Sequence, residues 1–263
     1  MRIAVCVKQV PASMDGTTDM LRGHVVRTGS KRLNPFDAPA IEAALRLRDD
    51  APSSAMVHAI SMGPASARDA LVEALAMGAD DATLLCDAAF AGADSLATAR
   101  TLRAGIQRQL PEVDCVLCGQ QTTDGDTGQV GASLAALLDV PYFGYVLSIA
   151  PEDEGRVTIW QQLGEEQLSF SVELPAVFSI ERTAFTARLP NLKNKIAASK
   201  KEVHTLGIAD FPAIDPDQLG SAGSPTKVKK VFYPEKTERK SLARLSGSDA
   251  ASAILSQMEE ALG

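Results

Sequence analysis

The chain has 263 residues, 45% hydrophobic and 22% charged, a globular balance that excludes disorder and leaves room for one large or two small domains. Acids outnumber bases, 33 to 26, and the net charge of −7 excludes the broad positive field that non-specific nucleic-acid binding needs. Residues 191–240 nevertheless hold ten Lys/Arg against six Asp/Glu, a local basic region on an acidic chain.

In chain order, Arg2–Val10 reads as a first strand, rich in Ile and Val. Only five apolar residues stand between Arg2 and Lys8, too few for a secretory leader, so a soluble, cytoplasmic protein is expected. Met14 to Lys31 is polar and glycine-containing, a loop or a hairpin. The helix that follows ends near Arg48, and Asn34-Pro35 or Asp37 caps its start. Pro39 favours the later start, because deeper in a helix it removes a hydrogen bond.

The pattern then repeats. Ala55–Ser61 is a second strand, followed by a helix with Ala67, Ala70, Leu71, Ala74 and Leu75 on one face, stopping at Gly78. Asp81–Cys86 is a third strand, and Asp94 caps a third helix. Val113–Cys118 and Gln129–Leu138 are the fourth strand and helix. Strands alternating with helices of this length predict a parallel sheet covered on both faces. Cys115 and Cys118 have CxxC spacing, but three residues apart on a strand they face opposite ways, which suits neither a disulfide nor a metal pair. No metal site is expected.

Beyond Pro141 the rhythm changes. Tyr142–Ala150 and Arg156–Gln162 flank the turn PEDEG, and Leu168–Glu173 and Ala176–Glu181 add further extended segments. All four are expected to continue the sheet as antiparallel strands. The stretch from Val130 to Ala150 is the most apolar, but Asp139, Pro141 and Gly144 break it below the ~20 residues of a membrane span. From Arg188 onward the reading is a basic loop, a Pro/Gly/Ser-rich passage over Phe211–Pro225, and a terminal helix, Asp249–Leu262. The fold class is thus α/β: a doubly wound, mostly parallel sheet with an antiparallel extension and a C-terminal arm.

The chemistry points to Gly119, Gln120, Gln121, Thr122, Thr123, Asp124, Gly125, Asp126, Thr127, Gly128, Gln129 and Val130, between the fourth strand and its helix. Ligands of doubly wound sheets bind at the carboxyl ends of strands, and a helix N-terminus there offers N–H groups and a positive dipole to phosphate. Glycines permit close backbone approach, while threonines and Gln129 can bond phosphate or ribose. The bland alternative is a turn in which Asp124 and Asp126 cap the helix. The chain lacks GxxxxGK[ST], GxGxxG and GxSxG, and its three histidines suggest no triad. A nucleotide site without a catalytic group reads as a cofactor holder. The competing reading is a free-standing adenine-nucleotide-binding regulator or ATP-using enzyme on a similar sheet.

Several segments together carry a resemblance: AVCVKQVP in strand one, LNPFD at the first helix, AISMGP after strand two, DALVEALAMGAD, VDCVLCGQQTTDGDTGQV and RLPNLKNKIAASKK. In this order and spacing they resemble the beta subunit of electron transfer flavoprotein, over nearly the whole chain. The resemblance implies a heterodimer with an FAD-bearing alpha subunit, the beta chain holding a second nucleotide, AMP or, in electron-bifurcating members, FAD. It implies that Cys6, Asn34, Pro35, Phe36, Asp37 and Met62 border that nucleotide, together with Gly119 through Val130. DGDTGQVGA is closer to the bifurcating pattern, so FAD is favoured, with NADH as electron donor. The resemblance further implies a partner-docking loop, here Leu189, Leu192, Lys193 and Lys195, that meets an acyl-CoA dehydrogenase or another flavin dehydrogenase. The expected division is a nucleotide-binding domain over 1–187, a recognition loop and linker over 188–226, and an arm over 227–263 packing on the alpha subunit.

Overall fold

The computed structural model describes residues 1–12, 18–19, 24–25, 30–51, 54–229 and 246–262. They fall into two compact units, Met1–Lys229 and Lys230–Gly263. In the first, the repeating strand–helix pattern produces β1 (Arg2–Cys6), β2 (Gln9–Pro11), the short β3 (Thr18–Asp19) and β4 (His24–Val25), β5 (Lys31–Leu33) and α1 (Asp37–Asp49). Next come β6 (Met56–Met62), α2 (Arg68–Met77), β7 (Asp81–Leu85), α3 (Ser95–Gln109), β8 (Cys115–Gly119) and α4 (Val130–Leu138). The remainder is β9 (Tyr142–Pro151), β10 (Arg156–Leu163), β11 (Glu166–Glu173), β12 (Ala176–Ile180), α5 (Leu192–Lys200) and β13 (His204–Leu206).

One nine-stranded sheet runs in the order β11-β10-β9-β12-β8-β1-β6-β7-β13. From β9 through β12 to β13 every neighbouring pair is parallel, while β10 and β11 are antiparallel additions. The central strands alternate between two cores. Ile3, Val5, Val57, Ala59, Cys115 and Leu117 join α1 and α2 on one face. Ala4, Cys6, Ile60, Val116 and Cys118 join α3 and α4 on the other. Each fully buried Ile or Leu contributes about 1.5–3 kcal/mol of transfer free energy. Cys115 and Cys118 therefore lie on opposite faces, as the strand period requires, and both are free thiols.

Four details depart from the sequence reading. Arg2–Val10 is not one strand: β1 ends at Cys6, and β2 pairs antiparallel with β5 instead. The break arises because the Lys8 N–H turns to the Asp37 carboxylate (2.7 Å) rather than to a neighbouring strand. Asp37 is the first residue of α1, which begins after Phe36, so neither Asp37 nor Asn34 caps it. Ala176–Ile180 is parallel, inserted between β8 and β9, and only β10 and β11 run against their neighbours.

The fourth departure lies beyond Arg188. The basic loop is a helix, α5, capped by the Asn191 side chain accepting from the Asn194 N–H (2.8 Å). β13 then adds a parallel edge strand to β7. The compact unit continues through Lys229, so residues 188–226 belong to it. The second unit contains α6 (Gly247–Leu262), on which Ile254, Leu255 and Met258 are exposed. In the expected arm Val228 is exposed, while Val231, Phe232 and Tyr233 lie outside the described residues. Among the described residues no helix is long and apolar enough to cross a membrane.

Candidate functional site

The chain runs from β1 through α1 and α2 outward to β7, then crosses by α3 to β8 on the other side of β1. That reversal is a topological switch point, and the crevice in which such sheets bind ligands lies outside the carboxyl ends of β1 and β8, whose last residues include the in-register pair Cys6 and Cys118. Three segments close around it: the exit of β1, the start of α1, and the loop from Gly119 to Gln129.

They are joined through Asp37. Its Oδ2 accepts from the Lys8 N–H (2.7 Å) and its Oδ1 from the Asn34 amide (2.7 Å). The Asn34 Nδ2 also donates to the Gln121 carbonyl (2.8 Å), and the Thr123 N–H donates to Asn34 Oδ1 (3.4 Å). Lys8 Nζ donates to Asp124 Oδ1 at 2.7 Å, so the residue whose backbone Asp37 holds also holds the loop. Asn34 and Asp37 are buried. Burial pushes the Asp37 carboxyl up to about 7, against the opposing pull of Asn34 and the Lys8 N–H and charge. Taken alone, this raised value gives stability that is full below the ordinary Asp range and lost as pH rises through about 7. The Cys6 thiol, hydrogen-bonded to Cys118 and buried, is likewise raised well above its usual value.

Of the residues expected here, Cys6, Asn34, Asp37, Gly119, Gln121, Thr123 and Asp124 are drawn into this contact set. Pro35 and Phe36 form the turn before α1, and Met62 ends β6 at the same sheet edge. The Thr122 carbonyl accepts from the Asp126 N–H (2.9 Å), and Asp126 in turn accepts from the Gln121 amide. Gln120 Oε1 accepts from the Arg182 N–H (3.4 Å), and Thr127 accepts from the Ser95 hydroxyl (3.4 Å) at the start of α3. Gln129 precedes Val130, the first residue of α4. The capping alternative fails: Gln129 is the N-cap, and neither Asp124 nor Asp126 caps α4.

The glycines divide by role. Gly128 has φ +62°, a conformation that disfavours other residues. Gly119 is set by space: a Cβ there would lie 2.6 Å from the Phe36 carbonyl and closer still to Asp37 Oδ1. Gly125 is exposed, with its nearest neighbour, the Thr122 hydroxyl, 3.4 Å from a built Cβ.

Lys8 and Arg182 were missed by the sequence reading. Each lies two residues beyond a strand's carboxyl end, Lys8 after β1 and Arg182 after β12, which is the signal that could have found them. The Arg182 guanidinium lies 5.5 Å from the centre of the Phe36 ring, within cation–π range. One donor in the loop remains: Thr123 Oγ1 is buried and has no hydrogen-bond partner among the described residues. A buried hydroxyl in that state costs free energy unless a partner arrives, and a phosphate oxygen is an apt acceptor beside a helix N-terminus. The residues present therefore fit a phosphate-bearing group.

At the other expected site, Leu189 is 93% exposed, Leu192 74% and Ile196 51%, the last two one helical turn apart on α5. Lys193, Lys195 and Lys200 are exposed beside them. Arg188 is committed elsewhere, pairing with Glu42 (2.8 Å) and Asp49 (3.3 Å) on α1. Lys201 donates to the Asp80 carbonyl (3.1 Å).

A doubly wound sheet with a polar loop closing its switch point defines a class of proteins that hold ligands at that crevice. Comparison with known proteins narrows the class: residues 22–210 match the family described as the electron transfer flavoprotein domain. The electron transfer flavoprotein subunit beta of Megasphaera elsdenii is 37% identical over 268 residues, covering 100% of this chain and 98% of that protein. The subunit of the same name from Clostridium acetobutylicum is 38% identical over 262 residues, covering 99% and 98%. The caffeyl-CoA reductase-Etf complex subunit CarD of Acetobacterium woodii is 36% identical over 262 residues, with the same coverage. The chain belongs to the electron transfer flavoprotein family, among its beta subunits, and its role is in electron transfer.

Replacing Gly119 by Ala should cost about 1–3 kcal/mol of stability, because the new methyl meets backbone and a buried carboxylate that cannot withdraw. Gly125→Ala, meeting only the Thr122 hydroxyl at 3.4 Å, should change it by less than about 0.5 kcal/mol. Thermal unfolding of the two variants checks this; equal melting temperatures would contradict the packing assigned to Gly119.

Proposed function

We propose that this chain is the beta subunit of a heterodimeric electron transfer flavoprotein and holds an adenine nucleotide in the crevice between β1 and β8. The observation that carries the reading is the buried, unpartnered Thr123 hydroxyl within a loop already fixed by Asn34 and Lys8. Gly119 through Val130 would receive phosphate and ribose, with Cys6, Asn34, Pro35, Phe36, Asp37 and Met62 bordering the nucleotide. FAD is favoured over AMP. Gly125 leaves the outer side of the loop open for a longer ligand, whereas Gly131 is explained by packing, its built Cβ 3.1 Å from the Tyr142 ring.

FAD, when bound, supplies two-electron and one-electron redox chemistry. The chain's own residues bind and orient it, and the buried crevice floor limits water. With FAD in the beta site, NADH is the electron donor and bifurcation belongs to the complex; with AMP, the complex is a simple carrier between a dehydrogenase and an acceptor. Denaturing the purified heterodimer and quantifying released nucleotide should yield two FAD and no AMP per heterodimer. One FAD and one AMP would overturn the FAD assignment and leave the carrier role.

The exposed Leu189, Leu192 and Ile196, flanked by Lys193 and Lys195, supply an apolar anchor with steering charge for a flavin dehydrogenase, acyl-CoA dehydrogenase among them. Residues 227–263 pack on the alpha subunit, which would cover Ile254, Leu255 and Met258. Leu189→Ala should slow electron exchange with the native dehydrogenase roughly tenfold at limiting partner concentration while bound nucleotide stays constant. An unchanged rate would remove Leu189 from the docking surface.

A further inference from the structure

Apart from the unpartnered Thr123 hydroxyl, the feature of the crevice that hydrogen bonding does not explain is the charge on Asp37. A neutral side chain could accept hydrogen bonds, yet a carboxylate stands there with little water to solvate it. The ionisable and charged groups facing it are few. From β1 and its exit come the Cys6 thiol, itself bonded to Cys118, and Lys8; from the loop after β8 comes Asp124. Lys8 is the one cation among them, and its ammonium is turned to Asp124 at 2.7 Å. Asp124 itself opposes the Asp37 charge.

The geometry also leaves room for a proton. Among the described residues each Asp37 oxygen accepts one hydrogen bond, from Lys8 N–H or from Asn34, and a carboxylate oxygen has a second lone pair. Protonation therefore does not require the clasp to open. We propose that Asp37 is a proton-linked positioning residue of the crevice, taking a proton from solvent onto a carboxylate oxygen when an anionic nucleotide binds and returning it when the site empties. This rests on the nucleotide reading above. A phosphate on the Gly119–Val130 loop sits beside a segment that Asn34 ties directly to Asp37, so its negative charge favours the neutral acid. Burial already brings Asp37 to about 7, where a modest further shift changes its charge at ordinary pH. Linkage then sets the sign: binding that takes up a proton weakens as pH rises.

The test uses the heterodimer with its beta site emptied and its alpha-subunit flavin in place, titrated with FAD, which has no group ionising between pH 6 and pH 8.5. Affinity should fall about tenfold across that range, the effect of a like charge at short range in a partly screened site. Calorimetry at pH 7 in two buffers of different ionisation enthalpy should register proton uptake, and Asp37→Asn should abolish both the slope and the uptake. A flat profile, or an unaltered slope in Asp37→Asn, would overturn the proposal while leaving the nucleotide reading intact. If that variant fails to fold, infrared spectra of the wild type decide: the carbonyl stretch of a protonated carboxyl should grow on FAD binding, and no growth overturns the proposal. If neither FAD nor AMP binds the emptied site, the nucleotide reading falls and the proposal with it.

Discussion

A single buried carboxylate, Asp37, joins segments that are distant in sequence. It holds the Lys8 backbone as the chain leaves β1 and steadies the Asn34 amide, which reaches across to the Gln121 carbonyl and the Thr123 N–H. Hydrogen bonds to a charged group contribute about 1.5–3 kcal/mol each, and orphaning a buried partner costs comparably. Those contributions offset a burial cost that is visible in the raised pKa of the carboxyl. The arrangement also dictates Gly119, since only a residue without a side chain lets β8 pass so close to the carboxylate. The crevice is thus a consequence of Asp37 as much as of the sheet.

The sheet supplies rigidity beneath the crevice. Its central strands are buried by α1 and α2 on one face and α3 and α4 on the other, so their carboxyl ends are fixed relative to one another. Helix α5 is tied to the same body: it packs on α2, and Arg188 anchors the chain just before it to Glu42 and Asp49 on α1. Five cations lie between residues 188 and 201, but Arg188 and Lys201 serve this attachment. Lys193, Lys195 and Lys200 are exposed beside Leu192 and Ile196.

The alternating core was legible because each buried strand and amphipathic helix prints its own period on the sequence. Asp94 was legible as a cap, and it does accept from Leu96 and Ala97 N–H. The α5 helix was not, because its side chains apart from Ala198 are exposed and leave no apolar stripe. β13 is three residues long, too short for a pattern. That Ala176–Ile180 lies parallel beside β8 depends on pairing across distant segments, which local pattern does not encode. For the same reason the loop's residue types were readable while its contacts were not. Lys8 meets Asp124 116 positions away, and His58 and His204, scattered in sequence, both come beside Asp81.

We place a nucleotide phosphate on the loop between β8 and α4, against the hydroxyl of Thr123. A crystal structure of the heterodimer with its native nucleotide tests it most directly. We expect a phosphate against Gly119–Val130, with a phosphate oxygen within hydrogen-bond distance of Thr123 Oγ1 and Asp37 still bridging Lys8 and Asn34. A nucleotide elsewhere on the chain, or Thr123 bonded within the protein while the crevice stands empty of phosphate, would contradict it.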